Sequence, residues 1–414
     1  MYTPAKKPHR AEPVHPVVAV AVTKAAQGAR LSTRSELMRR LGRPLLALPA
    51  YQAIPAIADA PPTFTEVGVR YTNYAEDSID RDAVIFGATD RYDIDVTQLW
   101  IEAPVGGSWS VALDVQNDYQ TGASPWFVGA QESGEPGVIM SGASIQDNRV
   151  EVGVTTRYFW ADGNAGFSAS HSDEDDYEAT ALAFDASWNT ADDARTWSTS
   201  FSSSKDTVSP TQGVIPVFID EEDLDTQSGY FGVSQILSRT AIARIGLSYT
   251  VSEGYLSDPY KLRDQRPDSH ERLSVSAGYR LFLVDAGASL QIDYRYYADS
   301  WGTDSHTLEL AWAQNLSRGL LTPYLRYYTQ READFFGVIA DTTAPHYADD
   351  YRLSSYGAVT IGARWAIALA DNWTLELEAE RYMTDAKWGV FDGDAAPALV
   401  DFWRGTVGVI WRFD

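Results

Sequence analysis

From residue 61 onward the chain alternates apolar and polar residues with a period of two, the mark of strands whose faces meet unlike surroundings. In 109–119, Trp109, Val111, Leu113, Val115 and Tyr119 share one face, and Ser110, Ala112, Asp114, Gln116 and Asp118 the other. Residues 149–160 set Val150, Val152, Val154, Tyr158 and Trp160 against Arg149, Glu151, Thr155 and Arg157. The pattern recurs in 241–251, 272–281, 289–297, 307–312, 356–367 and 373–382. No later stretch approaches the ~20 apolar residues that a membrane helix needs, so any membrane span must be made of strands.

The connections alternate too. Short links at 105–108, 161–164, 190–194, 238–240, 284–287, 316–319 and 369–372 interleave with polar links that are mostly longer. Of the second set, only those near 172–176 and 299–305 are short. Tight turns at one end and long loops at the other predict an all-β fold: a transmembrane up-and-down antiparallel β-barrel of about sixteen strands over residues 61–414. Trp109, Tyr158, Trp160, Trp188, Trp197, Trp365, Trp373 and Trp411 lie beside the short turns, as rings that favour headgroup depth would. The last strand sets Trp403, Val407, Val409, Trp411 and Phe413 on one face and ends in Asp414, so its closing aromatic is penultimate. A soluble β-sandwich or propeller would alternate as well. It gives no reason for the two classes of link.

Composition narrows the function. The 414 residues contain no cysteine, which removes disulfides, thiolate metal sites and cysteine nucleophiles. The net charge of −24 is unevenly spread: residues 1–60 carry +6, and after them only Lys205, Lys261 and Lys387 remain of the lysines. So acidic a body repels nucleic acid. The basic leader contains Arg39, Arg40 and Arg43, a modestly apolar core at 45–57 and Ala58-Asp59-Ala60 before Pro61. These are the parts of a secretory signal, predicting a start at Met38 and cleavage near Ala60. The bland reading is a basic leader that stays uncut.

Several stretches resemble the domain-of-unknown-function family numbered 3570, predicted outer-membrane proteins: VRYTNYAED (69–77), YQTGASP (119–125), HSDEDDYEA (171–179) and YRLSSYGAVTIGARWAI (351–367). The resemblance spans most of 65–414. It implies the barrel fold and a bacterial outer-membrane location, and it brings no activity and no site residues.

Candidate chemistry sits on the polar face. Asp114, Arg157, Arg244, Arg280, Asp293, Arg295, Arg326, Arg364, Glu376, Glu378, Glu380, Arg404 and Arg412 all have the parity opposite to lipid and are expected to line a lumen. They read as the charged wall of a wet channel, or as ion pairs locking neighbouring strands. Glu376, Glu378 and Glu380, two apart on one strand, would repel one another unless cations face them. Arg364, Arg404 and Arg412 on the adjacent strands are the expected partners. The glycine-rich loop 120–147 is expected to be an exposed flexible loop, or else a plug. Asp173, Glu174, Asp175 and Asp176, and Asp220, Glu221, Glu222 and Asp223, are weak candidates for Ca²⁺, although acidic loop runs are usually just solvated. His171, His270, His306 and His346 belong to no serine, zinc or phosphate-loop motif, so no catalytic residue is assigned.

The leading expectation is therefore a passive, porin-like channel for small polar solutes or ions, without cofactor. The alternative is a non-conducting scaffold or receptor that docks periplasmic or extracellular partners, redox proteins among them. A barrel-embedded enzyme comes third.

Overall fold

The computed structural model describes residues 60–141, 145–211 and 219–414. The basic segment and the start expected at Met38 lie outside the described residues.

Sixteen strands follow one another around a closed barrel. They are β1 (Thr65–Glu76), β2 (Asp93–Val105), β3 (Trp109–Gly122), β4 (Ile145–Trp160), β5 (Gly163–Glu174), β6 (Tyr177–Asn189), β7 (Arg195–Val208) and β8 (Glu222–Ser238). Then come β9 (Ala241–Gly254), β10 (Ser269–Leu283), β11 (Ala288–Asp299), β12 (Asp304–Leu316), β13 (Gly319–Gln330), β14 (Tyr356–Ala370), β15 (Trp373–Asp385) and β16 (Phe402–Phe413). β16 closes antiparallel onto β1, with Thr65 opposite Phe413 and Glu76 opposite Phe402. Closure matters because lipid offers no partner to an unpaired strand edge.

Parity sorts the side chains as alternation requires. Leu247 is 47% exposed and Ile361 56%, which only an outward-facing position allows. Their neighbours Ser248 and Thr360 point inward. Trp109 packs on Tyr158, and Trp373 on Trp411, at the short-turn rim. At the other rim, tyrosine hydroxyls donate to carboxylates one strand away: Tyr249 to Glu271 at 2.7 Å, Tyr296 to Asp304 at 2.7 Å. An even number of antiparallel strands, unequal ends and two aromatic girdles define the barrels of the bacterial outer membrane. This chain is one of them.

The outer end departs from the simple scheme. Tyr74, Ile94, Val96, Leu224 and Phe402 face inward there, yet all are buried. What buries them is the loops. In contrast to the exposed flexible loop expected at 120–147, Pro125–Ala130 and Pro136–Met140 form a small sheet with Val84–Phe86. Its core is Val84, Ala123, Val138, Met140 and Ala398, so three loops meet there. A second core joins Leu224, at the start of β8, to Leu256, Trp301, Ala333, Ala348 and Leu353 from the loops after β9, β11 and β13. Each large apolar side chain so buried stabilises the loops by about 1.5–3 kcal/mol. The long loops thus build a cap within the outer mouth.

Candidate functional site

Below the cap the inward faces carry the charges, and most are matched. Arg157 grips Asp185 through two bonds of 2.7 and 2.8 Å and also donates to Asn164. Asp293 takes Arg244 at 2.7 Å and Arg280 at 2.6 Å. Arg326 pairs with Glu309, and Arg295 lies over the Tyr297 ring. Asp114 faces inward opposite Gly153.

Two of these pairs skip a strand, and glycine is the reason. Arg157 on β4 and Asp185 on β6 flank Gly166 of β5; Arg244 on β9 and Asp293 on β11 flank Gly278 of β10. A Cβ at Gly166 would stand 2.6 Å from the Arg157 guanidinium and 2.7 Å from the Asp185 carboxylate. At Gly278 it would overlap Arg244. A missing side chain on the middle strand therefore lets a long cation reach its partner two strands away.

The three glutamates of β15 meet arginine, with one partner different from expectation. Glu378 accepts from Arg404 at 2.8 Å and lies 3.4 Å from Arg364; Glu380 lies 3.3 Å from Arg404. The Tyr324 hydroxyl also donates to Glu380, at 2.5 Å. Arg412, however, pairs with Glu66 of β1 at 3.0 Å. Glu376 takes Arg70, also of β1, at 2.7 Å, across Gly408 of β16. The physical reason is reach: nothing on Gly408 blocks Arg70, whereas Arg412 sits two pleats nearer the short-turn rim, beside Glu66. The closing seam is thus held by ions from β14 to β1.

The cap has its own ionic centre. Arg266 lies between Asp264 at 2.6 Å and Asp350 at 2.9 Å, and Arg352 joins Asp350 to Asp258. Burial pushes the Asp350 carboxyl upward, but Arg352, Lys261 and Arg266 outweigh it and hold it well below the usual carboxylate range. Its neighbour Asp349 accepts the Val128 backbone N–H at 2.9 Å, tying the loop after β13 to the loop after β3. Lys261 donates to the Pro125 carbonyl at 3.0 Å and the Leu262 N–H to the Trp126 carbonyl, tying in the loop after β9. These strands are spread around the barrel, so the ties cross its mouth.

Of the acidic candidates, the structure brings together Glu174 and Asp176 with Asp147, which the sequence had not singled out; their carboxylate oxygens lie within 4.8 Å of one another. Asp173 and Asp175 are exposed apart from this group, as are Asp220, Glu221, Glu222 and Asp223 at the start of β8. Asp176 also takes the hydroxyl of Tyr260 from the cap.

A family model described as "Protein of unknown function (DUF3570)" matches residues 46–398. No curated protein matches. Among solved structures, CdiB from Acinetobacter baumannii is 8% identical over 84% of this chain, with a TM-score of 0.47. The chain spans 60% of that structure's length. A bacterial polysaccharide outer membrane secretin is 8% identical over 84% of this chain and 98% of its own, with a TM-score of 0.47. A BenF-like porin from Pseudomonas fluorescens Pf-5 is 8% identical over 84% of this chain and 98% of its own, at 0.40.

Proposed function

The chain belongs to the DUF3570 family, and from that footing we propose that it is a passive outer-membrane channel for small polar solutes or ions, narrowed at its outer mouth by its own loops. One observation carries the reading: the inward faces below the cap are mostly polar, with charges and hydroxyls on nearly every strand. A sixteen-strand barrel is wider than side chains can fill, so a wall of ions and hydroxyls encloses water. Because the charges are mostly paired, the bore offers polarity without strong selectivity for one sign of ion. The ion pairs act at once as lining and as cross-ties between strands.

The interlocked cap favours a second reading, a non-conducting scaffold that docks other proteins. Planar-bilayer recording of the purified protein separates the two. A channel gives stable current steps of modest size, with a reversal potential near zero in a salt gradient. Persistent silence, from the native chain and from a chain whose cap is opened, supports the scaffold.

A further inference from the structure

The inner wall is lopsided, and the asymmetry bears on what passes. On β13–β16 and β1 the inward side chains are long: Arg326, Arg364, Glu378, Arg404 and Arg70 reach toward one another. On β5–β8, diametrically opposite in the strand order, they are mostly short: serines and threonines, with Ala179, Ala181 and Ala183 on β6, and Tyr230 of β8 as the large side chain beside Ser200. One rung across this arc reads Ser168, Ala183, Ser202, Ser228 and Thr250. The rungs on either side bring Ser204 with Thr226, and Ser200 beside Asp185. The basic residues of these strands, Arg195 and Lys205, have the outward parity, and Asp185 is already bound by Arg157. Hydroxyls bridge strands at the far edge of the arc, Thr226 to Ser252 and Ser228 to Thr250, both at 2.9 Å.

We propose that solutes travel along the β5–β8 wall and that the class it favours is uncharged and rich in hydroxyls, such as sugars and polyols. This rests on the channel reading above. Short side chains leave the open part of the bore on this side. A serine hydroxyl both donates and accepts, so a row of them can exchange hydrogen bonds with a solute hydroxyl at each step. An ion gains less along the serine rung, whose side chains carry no charge, and it must shed part of its hydration there; the inward Asp206, further out, takes the hydroxyls of Tyr177 and Ser204. The paired wall opposite adds polarity of both signs but no net attraction.

Liposome swelling with the full chain tests this, using glucose, gluconate and glucosamine as probes of similar size. Glucose is expected to enter fastest. The triple change Ser200→Val, Ser202→Val, Ser204→Val should slow glucose by about fivefold, the factor expected from one lost hydrogen bond. Serine-to-threonine changes at the same three positions should retain most of the flux. Phe201→Leu, on the lipid side of the same strand, should leave it as it is. A gel mobility that changes on boiling, expected of a barrel closed by its own hydrogen bonds, is the check that each variant is folded. Faster entry of either charged probe, or glucose flux unmoved by the valines, overturns the proposal while leaving a channel. No swelling and no current, from the native chain and from Arg266→Ala, overturns the channel itself and this proposal with it.

Discussion

Arg266→Ala is expected to raise the single-channel current several-fold without unfolding the barrel. Arg266 is buried, and it donates to both oxygens of Asp264 and to Asp350. Removing it leaves carboxylates from two loops buried side by side, with only Arg352 and Lys261 left to hold Asp350. Breaking a buried pair by deleting one partner costs about 3–5 kcal/mol, because the remaining charge is uncompensated. That penalty falls on the cap. The barrel below is closed by its own hydrogen-bonded ladder and does not depend on Arg266. The loops after β9 and β13 should therefore swing clear, becoming sensitive to added protease while the heat-dependent gel shift persists. An unchanged current together with protease-resistant loops would show that this cluster does not hold the mouth.

The second large effect is expected from pH, through Asp349. Burial pushes its carboxyl up to about 7; the Val128 N–H and Lys261 oppose the rise, and Asp350 and Asp264 add to it. Arg266 and Arg352 face the same cluster but are engaged by Asp350. With the cap open, Asp349 meets water and returns to its ordinary value of 3.8. A carboxyl whose value is raised in the closed state favours closure fully below the lower of these two values. That contribution fades as pH rises between them and is gone above about 7. Each pH unit in the window shifts the closed-to-open ratio by at most about tenfold. Current should thus be small at pH 5 and larger at pH 8. Asp349→Asn, which keeps an acceptor for Val128 but cannot ionise, should flatten the profile at the closed level. A profile that is flat in the native chain, or unaltered in the variant, would remove Asp349 from the account.

Much of the barrel was legible in the sequence because a strand's side-chain parity is a local property. Val150 and Arg149, or Ile292 and Asp293, part company wherever the register falls. The partners were less legible. Which Arg meets which acid depends on how strands slide past each other. The parity of 400–413 alone could not tell that Arg412 lies beside Glu66 and that Arg70 crosses Gly408. A glycine at an inward position between an arginine strand and an acid strand, as at Gly166 and Gly278, is the signal that was there to use. The cap stood only as the alternative reading of 120–147, because its contacts join segments far apart in the chain. One local sign pointed to it: in β2 the apolar parity switches from Ile94 and Val96 to Leu99 and Ile101. A strand that leaves lipid and meets an apolar interior at its outer end reads that way.

The central claim is a water-filled polar bore inside a lipid-facing shell, and adjacent cysteines test it most directly, since the chain has none of its own. In β10, Val275 points outward and Ser276 inward. With the protein in liposomes, a membrane-impermeant thiol reagent should label Ser276→Cys readily and Val275→Cys only after detergent is added. Equal labelling at the two positions, or faster labelling at Val275→Cys, would contradict the bore.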